Sequence, residues 1–267
     1  MERYSIDYAL MNTVLEGKTS PASLSWTKEE VHAFYGRMRN GQRITTTQVP
    51  VEEFRRVFTK YLADGQDIVY IACSSKQSGS VNTARVVSEE LLKDYPGASV
   101  YCVDSLNACL GEGALAIEAA KLAETGIGAE EVFKKVQAMR KRVNEYCTVH
   151  SLEFLRRAGR VKGPAAFFGN LMGVKPIIVA DADGAQAAFK KVKGRQASFR
   201  EIVALLKESI VNPEEQTIYL AHADCSEEEV EELKALVKAE IPCKEIFVGY
   251  IGPIIGASIG PDAVALI

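Results

Sequence analysis

The sequence predicts an α/β protein of two domains. The N-terminal domain carries a largely parallel sheet with flanking helices, and the C-terminal domain a smaller mixed sheet. Three observations lead there. In the first half, apolar runs are followed by hydroxyl- or glycine-rich loops and then by helical patterns, in repeated order. Ile68-Val69-Tyr70-Ile71-Ala72-Cys73 is an unbroken apolar run, as expected of a strand covered on both faces. Beyond Cys147 the texture changes to short strands, hairpin signals and small residues, which places a domain boundary near 148 and gives domains 1–148 and 149–267. A chain of 267 residues suffices for two modest domains.

The elements follow in order. Tyr4 to Val14 alternates, with Ile6, Tyr8, Leu10 and Val14 on one face, and reads as a strand ending at Gly17. Thr27-Lys28-Glu29-Glu30 is a capping box; Val31, Phe34, Tyr35 and Met38 follow at helical spacing, and Gly41 closes the helix. Thr45-Thr46-Thr47-Gln48 then falls where a loop becomes a helix. Pro50 suits that helix's first turn, and Phe54, Phe58 and Leu62 its buried face. After the strand at 67–73 come Ser74-Ser75-Lys76-Gln77-Ser78-Gly79-Ser80 and a helix to Leu92. Strand 98–103, the loop Asp104-Ser105-Leu106-Asn107 and a helix through Glu124 repeat the unit, and a further helix runs from Glu130 to Tyr146.

In the second half a short helix, 152–158, leads to Gly159-Arg160. Strands at 174–180 and 187–191 are joined at Asp183-Gly184, a hairpin signal. Helix 199–209, strand 217–222, helix 227–239 and strand 244–248 come next. Gly252-Pro253-Ile254-Ile255-Gly256 reads as a glycine-rich loop, and 263–267 as a last strand.

Composition excludes several function classes. A net charge of −3 favours neither nucleic acid nor an anionic membrane, and no apolar run reaches the roughly 20 residues of a membrane span. The start, Met1-Glu2-Arg3-Tyr4, lacks the apolar core of a signal peptide, so a cytoplasmic protein is expected. Six cysteines without a C-x-x-C pair read as buried reduced thiols, and three histidines away from any cysteine pair argue against a metal site. There is no G-x-S-x-G elbow, no G-x-G-x-x-G and no phosphate-binding P-loop.

Two hydroxyl-rich loops remain. Donors without competing negative charge suit a carboxylate or phosphate, so Thr46, Thr47, Ser78 and Gly79 are candidates to hold the anionic end of a small ligand. Helix capping is the competing explanation for each. Asp104 would repel an anion and reads as a loop organiser. Arg160, next to a glycine, and Arg195, in Lys190-Lys191-Val192-Lys193-Gly194-Arg195, are the notable basic residues of the second half. His222 ends a strand and reads as a structural or an acid/base histidine.

The ordered set of motifs resembles the DegV family of fatty-acid-binding proteins over nearly the whole chain. Thr46-Thr47-Gln48 is similar to its Thr-Ser-Gln motif, and 74–80 to its Ser-Ser-Lys-Leu-Ser-Gly-Thr. Val103-Asp104-Ser105 with Gly111 and Gly113 resembles a third block, and 152–160 with Lys175-Pro176-Ile177 a fourth. Gly252-Pro253-Ile254-Ile255-Gly256 with Gly260-Pro261 resembles the last.

The resemblance implies a fatty acid between two α/β domains, its carboxylate on Thr46 and Ser78 with Thr47, Gly79 and Ser258 beside them. It implies no catalysis and no cofactor, but an acyl carrier for a separate ATP-dependent fatty-acid kinase, with Arg160 and Arg195 meeting the head group or that partner. Phe167, Phe168, Leu171, Met172 and Ile177 are candidates for the tail lining or for plain core. Members usually begin with a strand ending in Asp-Ser, which is expected to be missing here. Ser258 stands where the family has histidine and Asp262 where it has glycine, changes expected to weaken carboxylate or phosphate contacts. The alternatives are a phosphotransfer domain using His222 or His150, and a degenerate protein that binds nothing.

Overall fold

In the computed structural model, which describes residues 2–164, 167 and 173–267, the long first strand expected from alternation is a tight hairpin. Strand β1 (Asn12–Leu15) turns at Glu16-Gly17 into β2 (Lys18–Pro21). Both turn residues have positive φ, 51° and 78°, which a two-residue hairpin requires. Upstream, the Leu10 N–H donates to the Glu53 carboxylate at 3.1 Å instead of to a strand, so Ile6, Tyr8 and Leu10 build no ladder.

Helix α1 (Lys28–Arg39) opens with the expected capping box: the Glu30 N–H donates to Thr27 Oγ1 and the Thr27 N–H to the Glu30 carboxylate. Its buried residues Val31, Tyr35 and Met38 share one apolar cluster with Val149, Leu152, Leu155 and Ile251 from the second half. Strand β3 (Ile44–Thr47) pairs antiparallel with β1, so the three threonines lie on a strand rather than at a helix start. Alternation then leaves Thr46 half-buried and Thr45 and Thr47 exposed. Pro50 precedes α2 (Val51–Ala63), which buries Phe54, Phe58 and Leu62 as expected.

The parallel sheet has two strands, β4 (Ile68–Ala72) and β5 (Val100–Asp104). Helices α2, α3 (Ser80–Leu91), α4 (Cys109–Glu124) and α5 (Ala129–Met139) pack on it. Helix α5 stops at Met139 rather than Tyr146. The Asn107 side-chain amide donates to Arg140 O and the Arg140 guanidinium to Asp104 O, which pins the chain as it leaves the helix.

Tyr146–Thr148 is instead β6, the first strand of a seven-stranded mixed sheet in the order β11-β10-β12-β6-β8-β9-β7. Its other strands are β7 (Val161–Lys162), β8 (Val174–Ala180), β9 (Gln186–Lys193), β10 (Thr217–His222), β11 (Glu245–Tyr250) and β12 (Val264–Leu266). The mixed sheet is therefore larger than the parallel one, the reverse of the expected sizes. Two of its central strands, β6 and β12, have only three residues each, too short for any period to show.

Helices α7 (Arg195–Ser209) and α8 (Glu227–Glu240) cover one face of this sheet through Phe199, Ile202, Leu206, Leu233 and Val237. Residues of α1, α6 (Leu152–Ala158) and α9 (Pro253–Ile259) cluster with the other face. Helix α9 replaces the glycine-rich loop expected there. Gly256 is needed inside it because any Cβ would overlap the Tyr35 ring, whose hydroxyl donates to Ile251 O at 2.6 Å.

The β8–β9 hairpin ties the sheets together. Its tip, Gly184 (φ +82°), comes so close to the loops after β4 and β5 that a Cβ would lie 2.5 Å from Ser74 Oγ and 2.7 Å from Leu106 Cα. The fully buried Ser74 hydroxyl donates to Gly184 O at 2.6 Å.

Candidate functional site

Thr46, Thr47, Ser78, Gly79, Arg160 and Ser258, drawn from four separate stretches of sequence, all line one cavity of about 210 Å³. It lies between the hydroxyl loops and the α6/α9 face of the mixed sheet. Most of its wall is apolar, from residues such as Val149, Leu155, Ile178, Ile254, Ile255 and Ile259.

The Ser78 hydroxyl is held by the start of α3. It accepts the Ser80 N–H at 3.2 Å and lies 2.8 Å from Ser80 Oγ, which itself accepts the Val49 N–H at 3.2 Å. With Ser80 Oγ donating to Ser78 Oγ, the proton of Ser78 is left for a ligand. The Gly79 N–H makes no hydrogen bond among the described residues and sits at the positive end of α3. Gly79 has an ordinary φ of −76°, and a Cβ there would push aside the Gln48 side-chain amide. Gln48 in turn donates to Thr83 Oγ1 at 3.0 Å.

Thr46 Oγ1 has no hydrogen-bond partner among the described residues, whereas Thr47 Oγ1 accepts from Asn12 and donates to Gln48 O at 3.1 Å. Thr46 is therefore the free hydroxyl and Thr47 a strand-end tether. Gln77 Nε2, also in the wall, is buried without a partner. Arg160 follows the left-handed Gly159 (φ +66°) that ends α6; it is exposed at the cavity's edge, and its guanidinium donates to Ala158 O. These groups are all donors, which fits a negatively charged oxygen acceptor.

Other expected residues lie elsewhere. Arg195 is not in the wall: it pairs with Glu229 at 2.8 Å, and its guanidinium covers the Phe199 ring 4.6 Å from the centroid. Ile177 is fully buried on the α7/α8 face, and its neighbour Ile178 lines the cavity. Side chains alternate along a strand, so a tail-lining assignment one residue off lands in the wrong core. Phe167 is buried in the apolar cluster beside the cavity with Lys191 Nζ over its ring. Phe168, Leu171 and Met172 lie outside the described residues.

Asp104 is the loop organiser expected, its Oδ1 accepting the N–H groups of Ser75 and Leu106 at 3.1 and 3.2 Å. His222 is buried against Tyr250, and burial depresses its pKa; His150 is depressed by burial and by Lys175. Among the described residues, neither has a carboxylate within hydrogen-bond reach. The six cysteines are free, and no cluster of metal-ligating side chains occurs among the described residues.

Sequence reasoning missed a second polar group in the wall. Glu145 is only 7% exposed, accepts the Ala108 N–H and the Gln186 side-chain amide at 2.9 Å each, and meets no cation among the described residues. Burial raises its pKa to about 7, against the two hydrogen bonds that favour the ionised form. Burial and the charge of Glu145 likewise raise Glu112 to about 8. A lone acid at the edge of an apolar strand was the available signal, hidden because the segment reads as a helix.

The family model described as Uncharacterised protein, DegV family, matches residues 2–267. The chain belongs to the DegV family. A DegV domain-containing protein of Clostridium perfringens is 38% identical over 234 residues, covering 88% of this chain and 80% of the relative. Among solved structures, a DegV lipid-binding protein of Thermotoga maritima is 28% identical, with a TM-score of 0.84 over 100% of this chain and 91% of the other. The fatty-acid-binding DegV family protein of Thermus thermophilus is 26% identical, with a TM-score of 0.85 over 99% and 92%. The fold is thus common to these proteins. Among the described residues, no helix is long and apolar enough to cross a membrane.

Proposed function

We propose that this protein binds a long-chain fatty acid in the cavity, its carboxylate on the Thr46 and Ser78 hydroxyls and the Gly79 N–H, with Ser258 and Arg160 alongside. The observation that carries this reading is the composition of the wall: a cluster of unspent donors opening onto an otherwise apolar surface. The lipid and fatty-acid binding of the Thermotoga maritima and Thermus thermophilus relatives supports it.

The energetics divide between the two parts. A tail of about 16 carbons contributes on the order of 10 kcal/mol at about 0.8 kcal/mol per buried CH₂, before the cost of immobilising it. The hydroxyls add less, but they fix which end of the molecule sits at Arg160. The protein supplies no general base or nucleophile in this reading. It acts as a cytoplasmic carrier that presents the acid to a separate ATP-dependent fatty-acid kinase, the exposed Arg160 lying where that partner would meet the head group.

Displacement of a fluorescent fatty acid tests the reading. Thr46→Val and Ser78→Ala are each expected to weaken palmitate binding about tenfold, the scale of a hydrogen bond to a charged group. Affinity for the matching fatty alcohol is expected to hold within about twofold. Equal losses for acid and alcohol would contradict the assignment of the head-group site.

A further inference from the structure

The polar residues of the cavity fall into two sets with opposite hydrogen-bonding character. Around Thr46, Ser78, Gly79 and Gln77 the free groups are donors apart from Gln48 Oε1. Around Glu145, in its ionised form, they are acceptors. Glu145 uses one lone pair of Oε1 on the Ala108 N–H and one of Oε2 on the Gln186 amide, leaving the rest of its acceptor capacity open. Gln186 Oε1, also in the wall, accepts nothing among the described residues. Next to them Asn107 Oδ1 is buried and unpartnered; it and Glu145 Oε1 lie 3.2 and 2.7 Å from the point where Gly111 would carry a Cβ. The other polar neighbours in the wall are the thiols of Cys73, Cys109 and Cys147, weak donors at best.

A plain hydrocarbon tail laid against Glu145 would remove the last water from a carboxyl group that has no cation beside it, which is costly. A carboxylate placed there would face like charge. A hydroxyl group satisfies the patch, donating to Glu145 or Gln186. The two acceptors are also rigidly supported, since Glu145 stands just before β6 and Gln186 begins β9 at the hairpin seated on Ser74. Simple loop organisation accounts for the Ala108 bond; it does not account for a carboxyl and an amide carbonyl both left open to an apolar cavity.

Resting on the fatty-acid reading above, we propose that the favoured ligand is an acyl chain bearing a hydroxyl group along its length, which donates to the Glu145–Gln186 pair. The substrate class is hydroxylated rather than purely hydrocarbon fatty acids, and the patch sets the position of the hydroxyl along the tail.

The test is displacement of a fluorescent fatty acid by stearic acid and by a series of hydroxystearic acids with the hydroxyl at successive positions. In the unmodified protein, at least one isomer is expected to bind five-fold or more tightly than stearic acid. Glu145→Met is expected to reverse that order, stearic acid then binding more tightly than the isomer. Gln186→Leu, a second variant should Glu145→Met fold poorly, is expected to cut the preference at least three-fold. Stearic acid outcompeting every isomer in the unmodified protein would overturn the inference while leaving fatty-acid binding intact. A preference that survives unchanged in both variants would overturn it too. Failure of all the acids to bind would overturn the underlying reading instead.

Discussion

The wall built by the N-terminal loops and the wall built by the mixed sheet meet in one cavity but are made on different principles. Ser78 and Gly79 are placed by a local device, the start of a helix, and Thr46 by the pairing of one short strand with β1. Ile178, Val149 and Glu145 are placed by the packing of a sheet against helices from both ends of the chain, α1 and α9 included. The first wall is a set of donors whose identity is the function. The second is a surface whose shape is the function, and in it a single change of side-chain parity exchanges a ligand contact for a core contact.

The sharpest way to break that contrast is the neighbouring pair on β8. Ile177→Ala is expected to destabilise the fold by about 3 kcal/mol, the usual range for an emptied core isoleucine, while leaving palmitate affinity within twofold. Ile178→Phe, which projects new volume into the cavity, is expected to lower affinity ten-fold or more. Denaturant unfolding and ligand titration of both variants check this; equal affinity losses would put both residues on one face.

A second measurement sharpens the electrostatic side of the contrast. Burial holds Glu145 at about 7 against an ordinary 4.5, so the folded state keeps its proton more tightly than the unfolded chain. Its contribution to stability is therefore full below about pH 4.5, falls as pH rises, and levels off above about pH 7. At about 1.36 kcal/mol per unit, the change is at most on the order of 3 kcal/mol. Glu112, raised in the same direction, extends the decline to about pH 8. Unfolding midpoints between pH 5 and 8 are expected to fall with pH, and Glu145→Gln to flatten part of that slope. A midpoint independent of pH in both proteins would contradict the burial of Glu145.

The smallest effects separate true members of the donor wall from bystanders. Thr47→Val and Arg195→Met are each expected to change fatty-acid affinity by less than twofold. The Thr47 hydroxyl is spent on Gln48, and the Arg195 guanidinium lies outside the cavity wall, against Glu229 and Phe199. Titration beside Thr46→Val gives the comparison.

The same contrast explains what could be read in advance. The hydroxyl loops, the capping box at Thr27, the turn at Asp183-Gly184 and the helices α6, α7 and α8 are local patterns and are visible in the chain itself. That Thr46 sits on a strand is not, because its partner β1 is a four-residue element separated from it by α1. Tyr146–Thr148 has three residues and gains its strand character from β12 and β8, both distant in sequence. Which of Ile177 and Ile178 faces the ligand depends on parity across a strand carrying a β-bulge between those two residues, and no residue type records that.

The claim on which the rest depends is that the acid enters with its carboxylate at Thr46 and Ser78. A crystal structure with a fatty acid brominated at its terminal carbon tests it directly, since anomalous scattering locates the bromine independently of the chain. The account predicts carboxylate oxygens within hydrogen-bond distance of Thr46 Oγ1 and Ser78 Oγ, and the bromine among the apolar side chains of the sheet wall. Bromine beside Ser78, or a cavity that admits no acid at all, would contradict it.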